Sequence, residues 1–193
     1  MIRAARPSDL AEMLAIYTPY VENTTVSFEY TPPSLEEFTR RYETNTAQFP
    51  WLVALEDGEI LGYAYASAPF SRKAYGFCAE PSIYLRQDAR GRGIGRELYA
   101  LLEEILRRQG YRVLYAVITE ENKSSMDFHE SQGYRTFAVF NRCGYKFGRW
   151  LGVTWMEKEL NVVESPSAFP SNWMSIVQLA ENQGDILASL SLS

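Results

Sequence analysis

Apolar positions recur along this chain with two alternating periods, one helical and one extended. Ile2-Arg3-Ala4 reads as a short strand. Ser8-Asp9 then offers an N-cap ahead of Leu10, Met13, Leu14, Ile16 and Tyr17 at helical spacing. Residues 23–31 are threonine-rich and irregular. Pro32-Pro33-Ser34 opens a second predicted helix with Leu35, Phe38 and Tyr42 on one face. Trp51 to Leu55 and Ile60 to Ala66 flank Asp57-Gly58, the pattern of a hairpin with a tight turn. Ser67 to Ala74 is a predicted loop, and Phe77 to Leu85 a strand interrupted by Pro81. Residues 93–109 turn Ile94, Leu98, Leu101, Leu102 and Ile105 to one side, and Gly110 suits the position just past a helix end. Leu114 to Ile118 is a buried strand, Asn122 to Gln132 a helix stopped by Gly133, and Tyr134 to Val139 with Gly148 to Leu160 a final strand pair. No internal repeat interrupts this order.

After Leu160 the composition shifts to Ser, Pro and Asn. Residues 1–160 read as one domain, and 161–193 as an acidic C-terminal extension. That extension comprises a linker near 161–172 and a possible short helix from Trp173 to Leu190, with Trp173, Ile176, Val177 and Ala180 in phase and Gly184 breaking it. The whole chain has 193 residues, 46% of them apolar, enough to bury a core without disulfides or a structural metal. No apolar run approaches the ~18 residues of a membrane span, and the first residues lack the apolar core of a signal peptide. Two cysteines and one histidine do not make a metal centre. Cys78 and Cys143 read as buried thiols in a reduced, cytoplasmic compartment. A net charge of −5 argues against a nucleic-acid partner. The extension holds three acids and no Lys or Arg, so residues 1–160 carry only −2. The stretch 86–112 holds seven arginines against four acids. A small anionic ligand bound at one place fits that distribution.

Arg90-Gly91-Arg92-Gly93-Ile94-Gly95-Arg96 lies between a strand and an amphipathic helix. Glycines remove side-chain bulk, and the helix start adds unsatisfied N–H groups and a positive dipole end, which is chemistry for a pyrophosphate. A P-loop would need Lys and Ser/Thr after its last glycine, and the dinucleotide fingerprint needs Gly-x-Gly-x-x-Gly; neither pattern is present.

Arg90-x-x-Gly93-x-Gly95, Asn122-x-x-Ser125, Phe128-His129 and Gly133-Tyr134 resemble the motifs of the GNAT superfamily of acetyl-CoA-dependent N-acetyltransferases. Ile16-Tyr17, Thr24 to Glu29, Gly62 to Ala66, Ala74-Tyr75, Glu80, Ser82 to Tyr84 and Gly144 to Trp150 are similar to the phosphinothricin / methionine sulfoximine acetyltransferase family within it. The resemblance spans about residues 2–160. It implies an α/β (α+β) GNAT fold: a mixed, mostly antiparallel central sheet, splayed between two parallel strands and flanked by helices. A bulge at Pro81 would create the splay.

The resemblance also implies site roles. Acetyl-CoA, as co-substrate, would lie in the splay, its pantetheine arm on the backbone of Ile83, Tyr84 and Leu85. Gly91, Arg92, Gly93, Ile94, Gly95 and Arg96 would cradle the pyrophosphate, Asn122 would meet the pantetheine or sulfur end, and Arg90 and Ser125 would be further cofactor contacts. An amide near Leu85 would polarise the thioester carbonyl. Glu80 would be the general base and His129 the proton donor to the leaving thiolate. Phe28, Glu29, Arg72 and Tyr75 would line the acceptor site, with Arg72 holding an acidic group; Tyr84 and Tyr134 are core aromatics. No metal is called for, and a homodimer is expected. Two departures stand out: a Pro69–Tyr75 loop one residue short, and Gly152 where the family often has Asp. The expected reaction is acetyl transfer to a small L-amino acid. A protein or polyamine acetyltransferase and a non-catalytic acyl-CoA-binding module are the alternatives.

Overall fold

The computed structural model describes residues 1–162 and 164–173. Its elements, in chain order, are β1 (Ile2–Ala4), α1 (Leu10–Asn23), α2 (Leu35–Thr46), β2 (Trp51–Glu56), β3 (Glu59–Ser67), β4 (Cys78–Leu85), α3 (Ile94–Gln109), β5 (Val113–Thr119), α4 (Lys123–Ser131), β6 (Arg135–Lys146) and β7 (Arg149–Glu159). The strands form one seven-stranded sheet in the order β1-β2-β3-β4-β5-β7-β6. Only β4 and β5 run parallel. The remainder of the proposed helix from Trp173 to Leu190 lies outside the described residues.

Local chemistry accounts for the element ends. Ser34 accepts a hydrogen bond from the Glu37 amide, the N-cap expected of serine. Asp9 stands at the N-cap of α1 but spends its carboxylate on Arg3, at 2.6 Å and 2.9 Å, and on the Arg6 amide. Asp57 and Gly58 both take positive φ, as a two-residue hairpin turn matching strand twist requires. Two departures from the sequence pattern are clear. Leu35 is exposed, so the apolar stripe of α2 starts at Phe38. Strand β6 runs on to Lys146, although Asn141 to Gly144 lose the alternation. The register with β7 shifts between Phe140 and Gly144, and Arg142 takes φ +52° there, which absorbs the extra residues without ending the strand.

Alternation along the central strands builds two cores. Leu52, Ala54, Ala64, Ala66 and Ala79 face α3, whose Leu98, Leu102 and Leu106 are fully buried. Trp51, Val53 and Tyr63 face α1 and α2, packing on Leu10, Met13, Tyr17 and Phe38. The chain after β7 returns to the first core. Asn161 donates to the carbonyls of Arg107 and Tyr111, Phe169 stacks on Phe77 at 4.8 Å, and the buried Trp173 indole donates to the Thr46 carbonyl. Residues 164–173 therefore lie against the domain rather than leading away from it. Cys78 is partly buried and Cys143 is exposed, so the expectation of two buried thiols fails for Cys143, which sits in the irregular part of β6.

Candidate active site

The sheet opens where β4 leaves β5. The two pair only at Cys78–Val113 and Ala79–Leu114, while β5 stays paired to β7 along its whole length. The bulge expected at Pro81 is absent. Strand β4 keeps unbroken register with β3 from Gly62–Leu85 to Ser67–Glu80. The Arg86 amide donates to the Leu61 carbonyl, so by alternation Tyr84, Ser82 and Glu80 point their backbone groups at β3. Leu85, Ile83 and Pro81 point theirs into the opening. Proline's missing N–H therefore falls on the gap side and costs no ladder bond.

This alternation sorts the predicted cofactor contacts. Ile83 offers its backbone to the gap. Tyr84 does not: its backbone belongs to β3, and its ring packs on Tyr17, Tyr20 and Tyr63. Leu85 faces the gap, but Tyr20 on α1 already meets it. The Tyr20 hydroxyl donates to the Leu85 carbonyl at 2.5 Å and accepts from the Leu85 amide at 3.2 Å. Tyr20 was not legible as a site residue, because it belongs to an ordinary apolar helix stripe and meets its partner 65 residues later.

The glycine turn sits at the start of α3. Gly91 and Gly93 have φ of +74° and +84° with open space where a Cβ would stand, so glycine serves the backbone conformation there. Gly95 serves close packing: a Cβ would lie 3.3 Å from the Leu85 side chain and 3.5 Å from that of Ile83. Arg96 and Glu97 donate their amides to the Gly93 carbonyl, and the amides ahead of them have no partner within the helix. The arginines divide. Arg90 lies over the Tyr20 ring at 5.2 Å and borders a cavity of about 170 Å³ with Ile83, Leu85, Gly95, Asn122 and Ser125. Arg92 turns away to the β2–β3 hairpin, where Glu56 holds it at 2.5 Å and 2.8 Å. Arg96 is exposed on the first turn of α3 beside Ile94.

Glu80, Ser82, Asn122, Ser125 and His129 share a second small cavity between the parted strands. No ion-pair or hydrogen-bond partner for the Glu80 carboxylate stands among the described residues, and burial pushes its pKa above the usual carboxylate value. The Asn122 side chain caps α4 by accepting from the Ser125 amide. His129 is 4% exposed. Its Nδ1 lies 2.7 Å from the Ser125 carbonyl, which can only accept, so Nδ1 carries a proton. Neutral Nε2 is then an acceptor, filled by the Tyr99 hydroxyl at 2.8 Å. Both ring nitrogens are spent inside the fold, and burial lowers the imidazole's pKa. The expected proton donor aims no N–H at the cleft.

Val26, Phe28 and Glu29 come from the loop after α1, and of these three Val26 lines the cavities around Glu80. Lys146, 2% exposed, ties that loop down by donating to the carbonyls of Val21, Thr24 and Ser27 at 2.7, 2.9 and 2.7 Å. Phe28 lies against Gly144, where a Cβ could not fit. Glu29 pairs with Arg41 at 2.5 Å and borders a larger cavity under α2. Arg72 and Tyr75 are exposed; Tyr75 packs on Phe70, and neither lines the cavities around Glu80.

A sheet parted between its parallel strands, with a glycine turn at one end and a lone carboxylate at the other, defines a class that the sequence comparison names. The family described as the acetyltransferase (GNAT) domain matches residues 2–155, and the chain belongs to it. It is 40% identical over 164 residues to a phosphinothricin N-acetyltransferase of Alcaligenes faecalis, covering 83% of this chain and 82% of that protein. It is 37% identical over 166 residues to an L-methionine sulfoximine/L-methionine sulfone acetyltransferase of Pseudomonas aeruginosa, covering 85% and 96%. The structure of a GNAT superfamily phosphinothricin acetyltransferase from Sinorhizobium meliloti in complex with AcCoA superposes with a TM-score of 0.81 at 37% identity, covering 89% of this chain and 92% of that one.

Proposed function

We propose that this protein transfers the acetyl group of acetyl-CoA directly to the amino group of a small L-amino acid or an analogue of the phosphinothricin or methionine sulfoximine type. The observation that carries the reading is Glu80, a half-buried carboxylate with no ion-pair or hydrogen-bond partner among the described residues, at the point where β4 and β5 part. The residues fit the co-substrate. Ile83 presents unpaired backbone to the gap for the pantetheine arm. The turn from Arg90 to Arg96 suits the pyrophosphate, with Gly95 allowing close approach to Ile83 and Leu85. When bound, the thioester supplies an activated acetyl carbon.

An amino acid reaches the site mostly as an ammonium ion, which has no lone pair with which to attack. Glu80 takes its proton, and its raised pKa narrows the gap between the two groups. The amine nitrogen bonds to the acetyl carbon as the C–S bond breaks; the sulfur leaves as the thiolate of CoA, and the second proton that the nitrogen loses passes to that thiolate through solvent. The Ile83 amide is the gap-facing strand donor for the carbonyl oxygen, in place of Leu85, which Tyr20 occupies. Asn122 and Ser125 border the same space. His129 holds α4 against α3 and acts as a positioning residue behind Ser125.

Release of free CoA, followed with a thiol reagent over a panel of amines, tests this reading. Turnover with amino acids and not with polyamines or peptides is expected. Tight CoA binding with no turnover on any amine would favour the binding-module alternative. We further propose a cytoplasmic location and a homodimer; the second is supported by an exposed apolar strip on β6 and β7 that includes Phe137, Val139, Phe140 and Trp150. Sedimentation over a range of concentrations tests it.

A further inference from the structure

Glu80 stands across the β3–β4 ladder from a residue that lines a second space. In the β3–β4 register Ser67 stands opposite Glu80, and Tyr65 opposite Ser82. Directly opposed residues share a sheet face, with Cβ atoms roughly 4.5–5.5 Å apart. The Glu80 side chain therefore emerges beside Ser67, on the side of the sheet that α1 and α2 cover. Ser67 and Tyr65 also line a cavity of about 530 Å³ beneath α2, within the ~300–1,000 Å³ of small-molecule sites. Five rings form its walls: Tyr17, Phe38, Phe49, Trp51 and Tyr65. They are already ordered, with Trp51 stacked on Tyr65 at 4.2 Å and Phe38 edge-on to Trp51 at 5.8 Å.

The charges at this cavity cancel. Arg41 is held by Glu29 at 2.5 Å and by Glu37 at 2.9 Å, and Arg40 by Glu37 at 2.5 Å. An anionic side chain entering here would have to compete with carboxylates already bound to both guanidiniums. A flat apolar one would meet ring faces and edges, the arrangement aromatic groups prefer.

We propose that this cavity receives the acceptor's side chain and selects L-amino acids with aromatic side chains, such as phenylalanine and tryptophan. The inference rests on the acetyl-transfer reading above and narrows its acceptor to the amino-acid side, away from the phosphinothricin and methionine sulfoximine analogues. The amino group lies at Glu80 and the ring extends past Ser67 into the aromatic walls. Acceptors with short or acidic side chains leave those walls uncovered.

The test uses the full chain with acetyl-CoA and compares kcat/KM for L-phenylalanine, L-tryptophan, L-alanine, L-glutamate and methionine sulfoximine. Phenylalanine is expected to exceed alanine and glutamate by on the order of tenfold or more, the discrimination an apolar pocket supplies. Ala68→Trp and Thr44→Trp place an indole in the cavity from exposed positions. Each should lower the phenylalanine-to-alanine ratio by about tenfold, mainly through KM for phenylalanine. Turnover of alanine or methionine sulfoximine equal to or above that of phenylalanine would overturn the assignment. So would variants that leave the ratio unchanged. Absence of turnover with every amine would instead overturn the transfer reading, and the cavity is then judged by binding. L-phenylalanine raising the melting temperature of the wild type, but not of Ala68→Trp, would support it; no shift in either would overturn it.

Discussion

Replacing Lys146 by methionine keeps most of the side chain's length and removes only its ammonium. In the wild type that group is enclosed and donates to three main-chain carbonyls, of Val21, Thr24 and Ser27. A hydrogen bond to a charged group contributes about 1.5–3 kcal/mol, and a buried acceptor left without a partner costs about 1–3 kcal/mol. Against this, methionine avoids the desolvation that pushes the lysine's pKa below its ordinary value. Three such bonds lost, less the desolvation recovered, leave a balance of roughly 3–5 kcal/mol. A chain of this length loses about 2–4 °C of Tm per kcal/mol, so a fall on the order of 6–20 °C is expected. The damage should not stay local to stability. The released carbonyls lie on the last turn of α1 and on the loop that follows it, which carries Val26 into the cleft, so KM for acetyl-CoA should rise in the variant at temperatures where it remains folded. Thermal unfolding followed by circular dichroism, with steady-state kinetics on the same preparations, reads both. A Tm within about 2 °C of wild type, corresponding to a loss of at most ~1 kcal/mol, would refute the clamp.

Glu80→Gln should lower kcat by about 10²–10⁴-fold, the range for loss of a general base, with CoA affinity retained. The wild-type rate should fall on acidification with a midpoint above the ordinary carboxylate value, because burial raises the Glu80 pKa, and this limb should vanish in the glutamine variant. For His129 the folded-state pKa is depressed, so its contribution to stability is fully present above about pH 6.5 and is lost as pH falls from there toward the folded value. His129→Gln should therefore flatten the acid side of the stability profile, measured by urea unfolding at stepped pH, while leaving the pH dependence of kcat in place; a lost kinetic limb would restore the proton-donor role. Trp173→Ala should cost about 3–5 kcal/mol by urea unfolding, as for other fully buried aromatics, and a loss below ~1 kcal/mol would mean that residues 164–173 contribute little to the fold.

Much of the site could be read along the chain because its signals are local. Gly91 and Gly93 adopt the positive φ that their type permits, Asn122 caps the helix it precedes, and Glu80 sits at the parting of two strands whose apolar patterns were visible. What escaped depends on distant partners. Tyr20 looks like any inward-facing helical tyrosine until β4 returns beneath it. His129 reads as a free imidazole until Tyr99, 30 residues earlier, fills its second nitrogen. Pro81 signals an irregular strand in isolation, yet the phase of the β3 ladder makes it harmless. The far half of β6 was lost because Asn141 to Gly144 carry no alternation, while its pairing to β7 survives through a change of register. The aromatic cavity draws its walls from α1, α2, β2 and β3, so no single window of sequence displays it.

The return of residues 164–173 to the first core has a kinetic meaning. Trp173 meets Thr46 across 127 residues, and Ser171 meets Gln109 across 62. At ~5–20 residues per second of synthesis, about 6–25 s separate the emergence of the two ends of the longer contact. During that interval the α1–α2 side of the sheet can already close, whereas the ground beneath Trp173 stays open to water. A nascent chain of this protein thus closes the first core around the indole only after Trp173 itself has been made.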